Sequence, residues 1–156
     1  MRKRLIPPKT PRKAATEPDW LGLETAAEAE VTSEDPAFPI ESALGITPGP
    51  GWQASAAGPQ TIRLLFDHPL RVRRIHVEFR EEQRERRQEF VLRWSGDSGQ
   101  TWREIVRQQY NFSAGARREV EEYKVDLDHA TGFEMEIVPD TTGGEALASL
   151  YRLQIA

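Results

Sequence analysis

The sequence predicts an all-β sandwich, and three observations carry that expectation. Apolar residues recur at every second position in short runs such as Ile62-x-Leu64-x-Phe66, Phe90-x-Leu92-x-Trp94 and Phe133-x-Met135-x-Ile137. That period lines one face of a strand. Clusters of Gly, Pro, Asp and Ser separate the runs at roughly 8–12-residue spacing, as in hairpin-linked sandwiches and barrels. No internal repeat is visible, which disfavours propellers and solenoids.

The chain of 156 residues fits one domain with a tail. Residues 1–13 carry only positive charges (Arg2, Lys3, Arg4, Lys9, Arg12, Lys13) among prolines 7, 8 and 11. Such a segment buries too little to offset its ordering entropy, so residues 1–19 read as a disordered basic tail and 20–156 as the domain. The tail is either an electrostatic tether to nucleic acid or anionic lipid, or a solvated extension. Asp19 is placed to cap a short helix with Trp20, Leu23 and Ala27 on one face. The alternative is an extended lead-in that lays Trp20 and Leu23 on the sandwich.

Residues 33–39 contain Pro36 and Pro39 and read as a loop, and residues 40–44 as one helical turn. Residues 45–58 read as a long loop around a single aromatic, Trp52. A strand follows over 60–66, then a turn at Asp67-His68-Pro69. Leu70 and Val72 alternate, but Ile75, Val77 and Phe79 alternate one residue out of step, the signature of a β-bulge near Arg73-Arg74.

Residues 80–88 are entirely polar and read as an exposed loop, with Glu82 and Arg86 spaced to pair at i,i+4. Residues 90–94 and 102–106 flank an Asp/Ser/Gly cluster and form a β-hairpin. Residues 107–118 read as a loop bearing Tyr110-Asn111-Phe112. Tyr123, Val125 and Leu127 mark the next strand; Phe133, Met135 and Ile137 mark another, ended by Pro139-Asp140. After a turn at 141–144, Ser149, Tyr151, Leu153 and Ile155 make the last strand.

Composition excludes several classes. There is no cysteine, hence no disulfide, thiolate metal site or Cys nucleophile, which suits a reducing, cytoplasmic location. No apolar run approaches the roughly 18 residues of a membrane span. Leu5-Ile6 runs into Pro7-Pro8, so no secretory apolar region is read. The net charge of −4 disfavours nucleic acid as the main partner of the folded part.

The order of landmarks is informative as a whole. Ser33-Glu34 and Pro36 precede Ile40, Ala43-Leu44 and Trp52; Gln60-Thr61-Ile62-Arg63-Leu64 leads to Arg74-Ile75-His76-Val77. Glu89-Phe90-Val91-Leu92, Ser95, Asp97, Gly99, Trp102 and Ile105-Val106 come next, and Phe133-Glu134-Met135-Glu136-Ile137 near the end. Over residues 30–156 this resembles the discoidin, or galactose-binding-like, domain family. The resemblance implies a jelly-roll sandwich of about eight strands with ligands bound by loops at one end.

Calcium-binding members carry an Asp-Gly-Asp-like stretch after the equivalent of Ala43-Leu44. Gly45-Ile46-Thr47-Pro48 stands there instead, and Arg152 stands where such members tend to supply a Glu. No calcium site of the family type is expected, and no cofactor.

Ser95-Gly96-Asp97-Ser98-Gly99-Gln100-Thr101-Trp102 also matches the Asp-box of sialidases. Physically it is a hairpin staple: Asp97 accepts backbone N–H bonds, Gly99 supplies a positive φ and Trp102 caps the core. Trp94 is likewise assigned to the core. His68, His76 and His129 lack metal-ligand spacing, and nothing brings Asp126, Asp128 and Asp140 together. With no catalytic constellation, the chain reads as a non-enzymatic binding module for a carbohydrate or small polar ligand.

The candidate ligand-binding residues are Trp52, Arg80, Arg84, Arg87, Tyr110, Asn111 and Phe112: aromatic faces to stack a sugar, Arg and Asn to bind hydroxyls. For Trp52 and Phe112 the competing assignment is a plug at the end of the core. For the charged loop it is a solvated edge that discourages strand pairing. The alternative function is an intracellular protein–protein interaction or scaffold domain.

Overall fold

A computed structural model describes residues 1–5 and 19–156. The disorder and tether readings of the basic tail fall mostly on residues 6–18, outside the described residues. The strands are β1 (Ala27–Val31), β2 (Trp52–Ala57), β3 (Gln60–Arg80), β4 (Arg86–Ser95), β5 (Arg103–Phe112), β6 (Arg118–Val138), β7 (Leu147–Leu150) and β8 (Arg152–Ile155). Helix among the described residues is limited to α1 (Leu23–Ala26) and α2 (Glu41–Leu44). The expected all-β sandwich is the fold. The main sheet runs β1-β3-β6-β4-β5 with β8 also on β3, and β2 pairs β7 in a separate ribbon.

Two long strands organise the rest. β3 and β6 each have 21 residues. Fully extended, such a strand measures about 70 Å, against about 40 Å for the diameter of a domain this size. Each strand therefore bends and serves both layers. The first part of β3 lies between β1 and the C-terminal part of β6; its last part lies between the N-terminal part of β6 and β8.

The bend explains two corrections. Asp67-His68-Pro69 is not a turn: β3 has four residues between Leu65 and Leu70 where β6 has one between Gly132 and Ala130, so the excess bulges outward. Likewise the two strands expected over 123–137 are one, β6. The bulge at Arg73-Arg74 is borne out, since the backbone N–H groups of both residues donate to the Ala156 carbonyl at 2.7 and 2.8 Å.

Ile62, Leu64, Ile75, Val77, Phe79, Phe90, Leu92, Phe133, Met135 and Ile137 fill the core. Phe79 and Phe90 meet with ring centres 4.9 Å apart across the layers. Each such side chain contributes about 1.5–3 kcal/mol by burial.

Other segments differ from expectation for local reasons. Gly22, not Asp19, precedes α1, and Ala27 opens β1. Leu23 is buried, while Trp20 lies half-buried with its ring 6.1 Å from that of His76. The helical turn over 40–44 is present as α2.

The long loop ends at Gly51, because Trp52 begins β2. The polar loop is only 81–85, and Arg86 and Gln88 are buried. Residues 107–112 belong to β5 rather than a loop. The last strand splits at Tyr151, where the chain passes from the β2–β7 ribbon to the main sheet; Ala148 and Leu150 face inward, Ser149 and Tyr151 do not.

The 95–102 hairpin closes on Asp97 as expected. Its Oδ1 accepts from the Ser95 hydroxyl at 2.7 Å and the Thr101 backbone N–H at 2.9 Å, while Ser95 Oγ accepts from the Gly99 N–H at 2.9 Å. Gly99 has φ +85°. Trp102 does not cap the core: it is half-buried beside Gly99 and Gly132, with the Arg63 guanidinium 5.7 Å from its ring centre. Trp94 is half-buried too, packed against the core on one side.

Candidate ligand-binding groove

A groove of about 430 Å³ opens where β3 ends and the β2–β7 ribbon begins. Arg80 and the 81–84 segment line it together with Glu145, Leu147, Ser149 and Tyr151. Trp52 and Leu150 lie at its floor, and Phe38 and Pro50 close one end. Donors and acceptors of both signs face a partly apolar base.

Arg80 is held rigidly for an exposed side chain. Its Nε donates to Glu78 Oε2 at 2.8 Å, and its guanidinium carbon lies 3.6 Å from the centre of the Tyr151 ring. Glu78 is buried and also accepts from Arg118 at 2.6 Å. Stacking on one side and a charge-assisted bond at Nε leave the two terminal nitrogens directed by fixed partners.

The 81–85 loop is anchored from beneath by Arg86, whose side chain is 1% exposed. Its Nε donates to Glu81 Oε1 at 2.7 Å, its Nη1 to Gln88 Oε1 at 3.1 Å and to the Pro139 carbonyl at 2.8 Å. The guanidinium also covers the Phe112 ring at 4.6 Å. Polar contacts continue inward: Gln88 Nε2 donates to Glu119 Oε1 at 3.2 Å, and Glu119 Oε2 is buried without a partner. Burial, then the neighbouring Glu121, pushes the Glu119 carboxyl up to about 7. The Tyr123 hydroxyl is also buried and unpartnered, and burial raises its pKa.

The seven sequence-predicted site residues divide into groups. Trp52, Arg80 and Arg84 line the groove. Trp52, at 1% exposure, presents no ring face; its indole N–H donates to the Ser33 carbonyl at 3.2 Å. Phe112, at 2%, is core beneath Arg86. Arg87 and Asn111 are cross-strand neighbours joined by a 3.1 Å bond, and Tyr110 donates to the Arg118 carbonyl at 2.8 Å. These three stand at the same end of the sandwich, but on the β4–β5 pair and outside the groove.

Sequence reasoning missed Tyr151, Glu145 and Leu147. The Gly143-Gly144 turn before them was the available signal, with φ of +88° and +100°.

The residues do not fit calcium after α2. The 45–47 segment offers main-chain carbonyls, and Glu24 beside Gly45 is the acid next to it. That falls short of the six to eight oxygens Ca²⁺ takes. Arg152 already donates to Gly45 O and Thr47 O, so a metal ion there would meet a like charge.

Structural comparison places this geometry in a known architecture. The module CpGH89CBM32-5 of Clostridium perfringens, solved with GalNAc-β-1,3-galactose, matches with TM-score 0.63 and 18% identity over 88% of this chain and 99% of that one. The fold is galactose-binding-like. Chitosan-binding module 1 of a chitosanase/glucanase from Paenibacillus sp. IK-5 matches with TM-score 0.62 and 16% identity, covering 87% of this chain and 98% of that one. The family 32 carbohydrate-binding module of C. perfringens NanJ, solved with galactose, gives TM-score 0.59 and 15% identity over 87% and 96%. No protein-family model matches the sequence. No curated protein matches it either.

Proposed function

We propose that this protein is a non-catalytic binding module that takes a carbohydrate in the groove lined by Arg80, Arg84, Glu145 and Tyr151. The observation that carries the proposal is Arg80, clamped by Glu78 and the Tyr151 ring with its terminal nitrogens on the groove wall. A guanidinium held in one orientation can donate to neighbouring sugar hydroxyls at little ordering cost.

Arg84 and Glu145 in the lining add donors and an acceptor, a combination that suits hydroxyls, which both give and accept. The structural neighbours solved with galactose-containing sugars, and the chitosan-binding module among them, support the same ligand class.

The test is a glycan array read with the native protein and Arg80→Ala, followed by calorimetric titration of the best-bound saccharide. Binding to one saccharide class that disappears in Arg80→Ala, while the variant still unfolds in one cooperative transition, is the expected result. A blank array together with no sugar-dependent melting shift would sink the proposal.

A further inference from the structure

Two main-chain carbonyls and one distant side chain meet at the start of β8. Arg152 Nη1 donates to Gly45 O at 3.0 Å and to Thr47 O at 3.2 Å. Arg152 is 6% exposed, and its guanidinium also lies 5.4 Å from the Tyr151 ring centre. Glu78, opposite Arg152 in the β3–β8 ladder, is taken by Arg80 and Arg118. The charge of Arg152 is therefore met by carbonyl dipoles. A buried cation without oxygens around it is costly, and so is a buried carbonyl such as that of Gly45 with no donor to receive. Each arrangement relieves the other.

We propose that Arg152 acts as an internal cation for the 45–47 segment, closing it onto β8 so that the loop between α2 and β2 is ordered without a bound metal ion. The consequence reaches the groove. After residue 47 the chain passes Pro50, which lines the groove, and Gly51, which has φ +87°. A β-carbon on Gly51 would stand 2.7 Å from Leu150 O and 2.9 Å from the Tyr151 α-carbon, so the loop lies directly on the β7–β8 junction. Trp52 follows at the groove floor. Arg152 is thus a positioning residue: it fixes the loop against the strand junction that presents Tyr151. This holds whether or not the groove takes a sugar.

The experiment compares thermal unfolding and amide hydrogen exchange of the native protein in excess EDTA and in excess calcium chloride with those of Arg152→Met and Arg152→Lys. The native melting temperature is the same in both solutions. Arg152→Met keeps the aliphatic stem and loses the charge; its melting temperature falls by about 5–10 °C. Its Gly45 amide, hydrogen-bonded to the Glu41 carbonyl, exchanges faster, while amides in the centre of β3 keep their protection. Arg152→Lys recovers at least half of both effects, because an ammonium still brings a cation to the carbonyls.

A native melting temperature that drops in EDTA would overturn the proposal, since a metal would then be closing the loop. Unchanged loop exchange in Arg152→Met would overturn it as well. Should Arg152→Met not fold, Arg152→Lys decides: loop exchange close to native supports a cationic role, and exchange as fast as in the exposed 113–116 turn refutes it.

Discussion

The Arg80 guanidinium lies 3.6 Å above the centre of the Tyr151 ring, and these two residues, 71 positions apart in sequence, meet in the lining of one groove. The contact ties the end of β3 to the point where the chain switches from β7 to β8. Removing the ring therefore releases the guanidinium while leaving its Glu78 bond. Tyr151→Ala is expected to weaken saccharide binding about tenfold, the equivalent of a cation–π contact of 1–2 kcal/mol. Tyr151→Phe keeps the ring and binds within about twofold of native. Calorimetric titration of the array-selected saccharide measures both, and equal losses for the two variants would show that the hydroxyl rather than the ring matters.

Arg86 gives a prediction about stability. It is a buried cation whose partners come from three places: Glu81 in the loop, Gln88 on its own strand and the Pro139 carbonyl after β6. Arg86→Met fills similar space but strands Glu81, whose side chain is 15% exposed, and leaves the carbonyl unpaired. Breaking such a pair from one side costs about 3–5 kcal/mol. Chemical denaturation should show that loss, and Glu81→Gln combined with Arg86→Met should recover part of it. Additive losses in the double variant would mean the two residues do not act together.

The 95–102 hairpin makes a prediction in acid. Hydrogen bonds from Thr101 and Ser95 hold the Asp97 carboxyl at about 2, below its ordinary 3.8. A depressed folded-state pKa means that the unfolded chain binds the proton first as pH falls. The contribution of Asp97 is therefore complete above about pH 4 and is lost as pH drops through about 2. Asp97→Asn should lower the melting temperature at neutral pH and show a shallower decline between pH 4 and 2. If native and variant decline in parallel, the staple is not the group titrating.

The sequence showed the strands whose side chains alternate in hydrophobicity and hid those that do not. Ile62-x-Leu64 and Phe133-x-Met135-x-Ile137 announced themselves, whereas β1 alternates Ala and Glu and β2 is mostly Ala and Ser after Trp52, leaving little apolar contrast. Polar residues that face inward leave no mark in such a pattern. Arg86 and Gln88 fall in a run that reads as an exposed loop, and Glu119 does not stand out at all, because only a tertiary network makes their burial tolerable.

Arg80 and Arg84 were found because a polar run after a strand places side chains at the sandwich end. Tyr151 reads as part of one continuous last strand because the point where the chain changes sheets leaves no mark in the alternation. Tyr110-Asn111-Phe112 was set in a loop because Gln and Asn are weak strand formers, yet pairing with Arg86, Arg87 and Gln88 overrides that preference.

The inward-facing acid gives the last prediction, and its sign is opposite to that of Asp97. Glu119 is 1% exposed, faces Gln88 and Arg86 from β4, and shares its strand face with Glu121 and Tyr123. Its carboxyl titrates at about 7, above the ordinary 4.5, because burial and Glu121 both disfavour the charge and outweigh Gln88 and Arg86. The folded protein then binds more protons than the unfolded chain between pH 4.5 and 7, so stability falls as pH rises through that window. The total loss is about 3 kcal/mol, from about 1.4 kcal/mol per unit of pKa difference. Glu119→Gln keeps an oxygen for the Gln88 donor and removes the titration. Its unfolding free energy should match native below pH 5, exceed it by about 3 kcal/mol at pH 8, and lack the native slope between. The same slope in both proteins would place the titrating group elsewhere. Because Gln88 links Glu119 to Arg86, and Arg86 holds Glu81, the native protein should also show faster amide exchange at residues 81–85 at pH 8 than at pH 6 after correction for intrinsic rates, and Glu119→Gln should not.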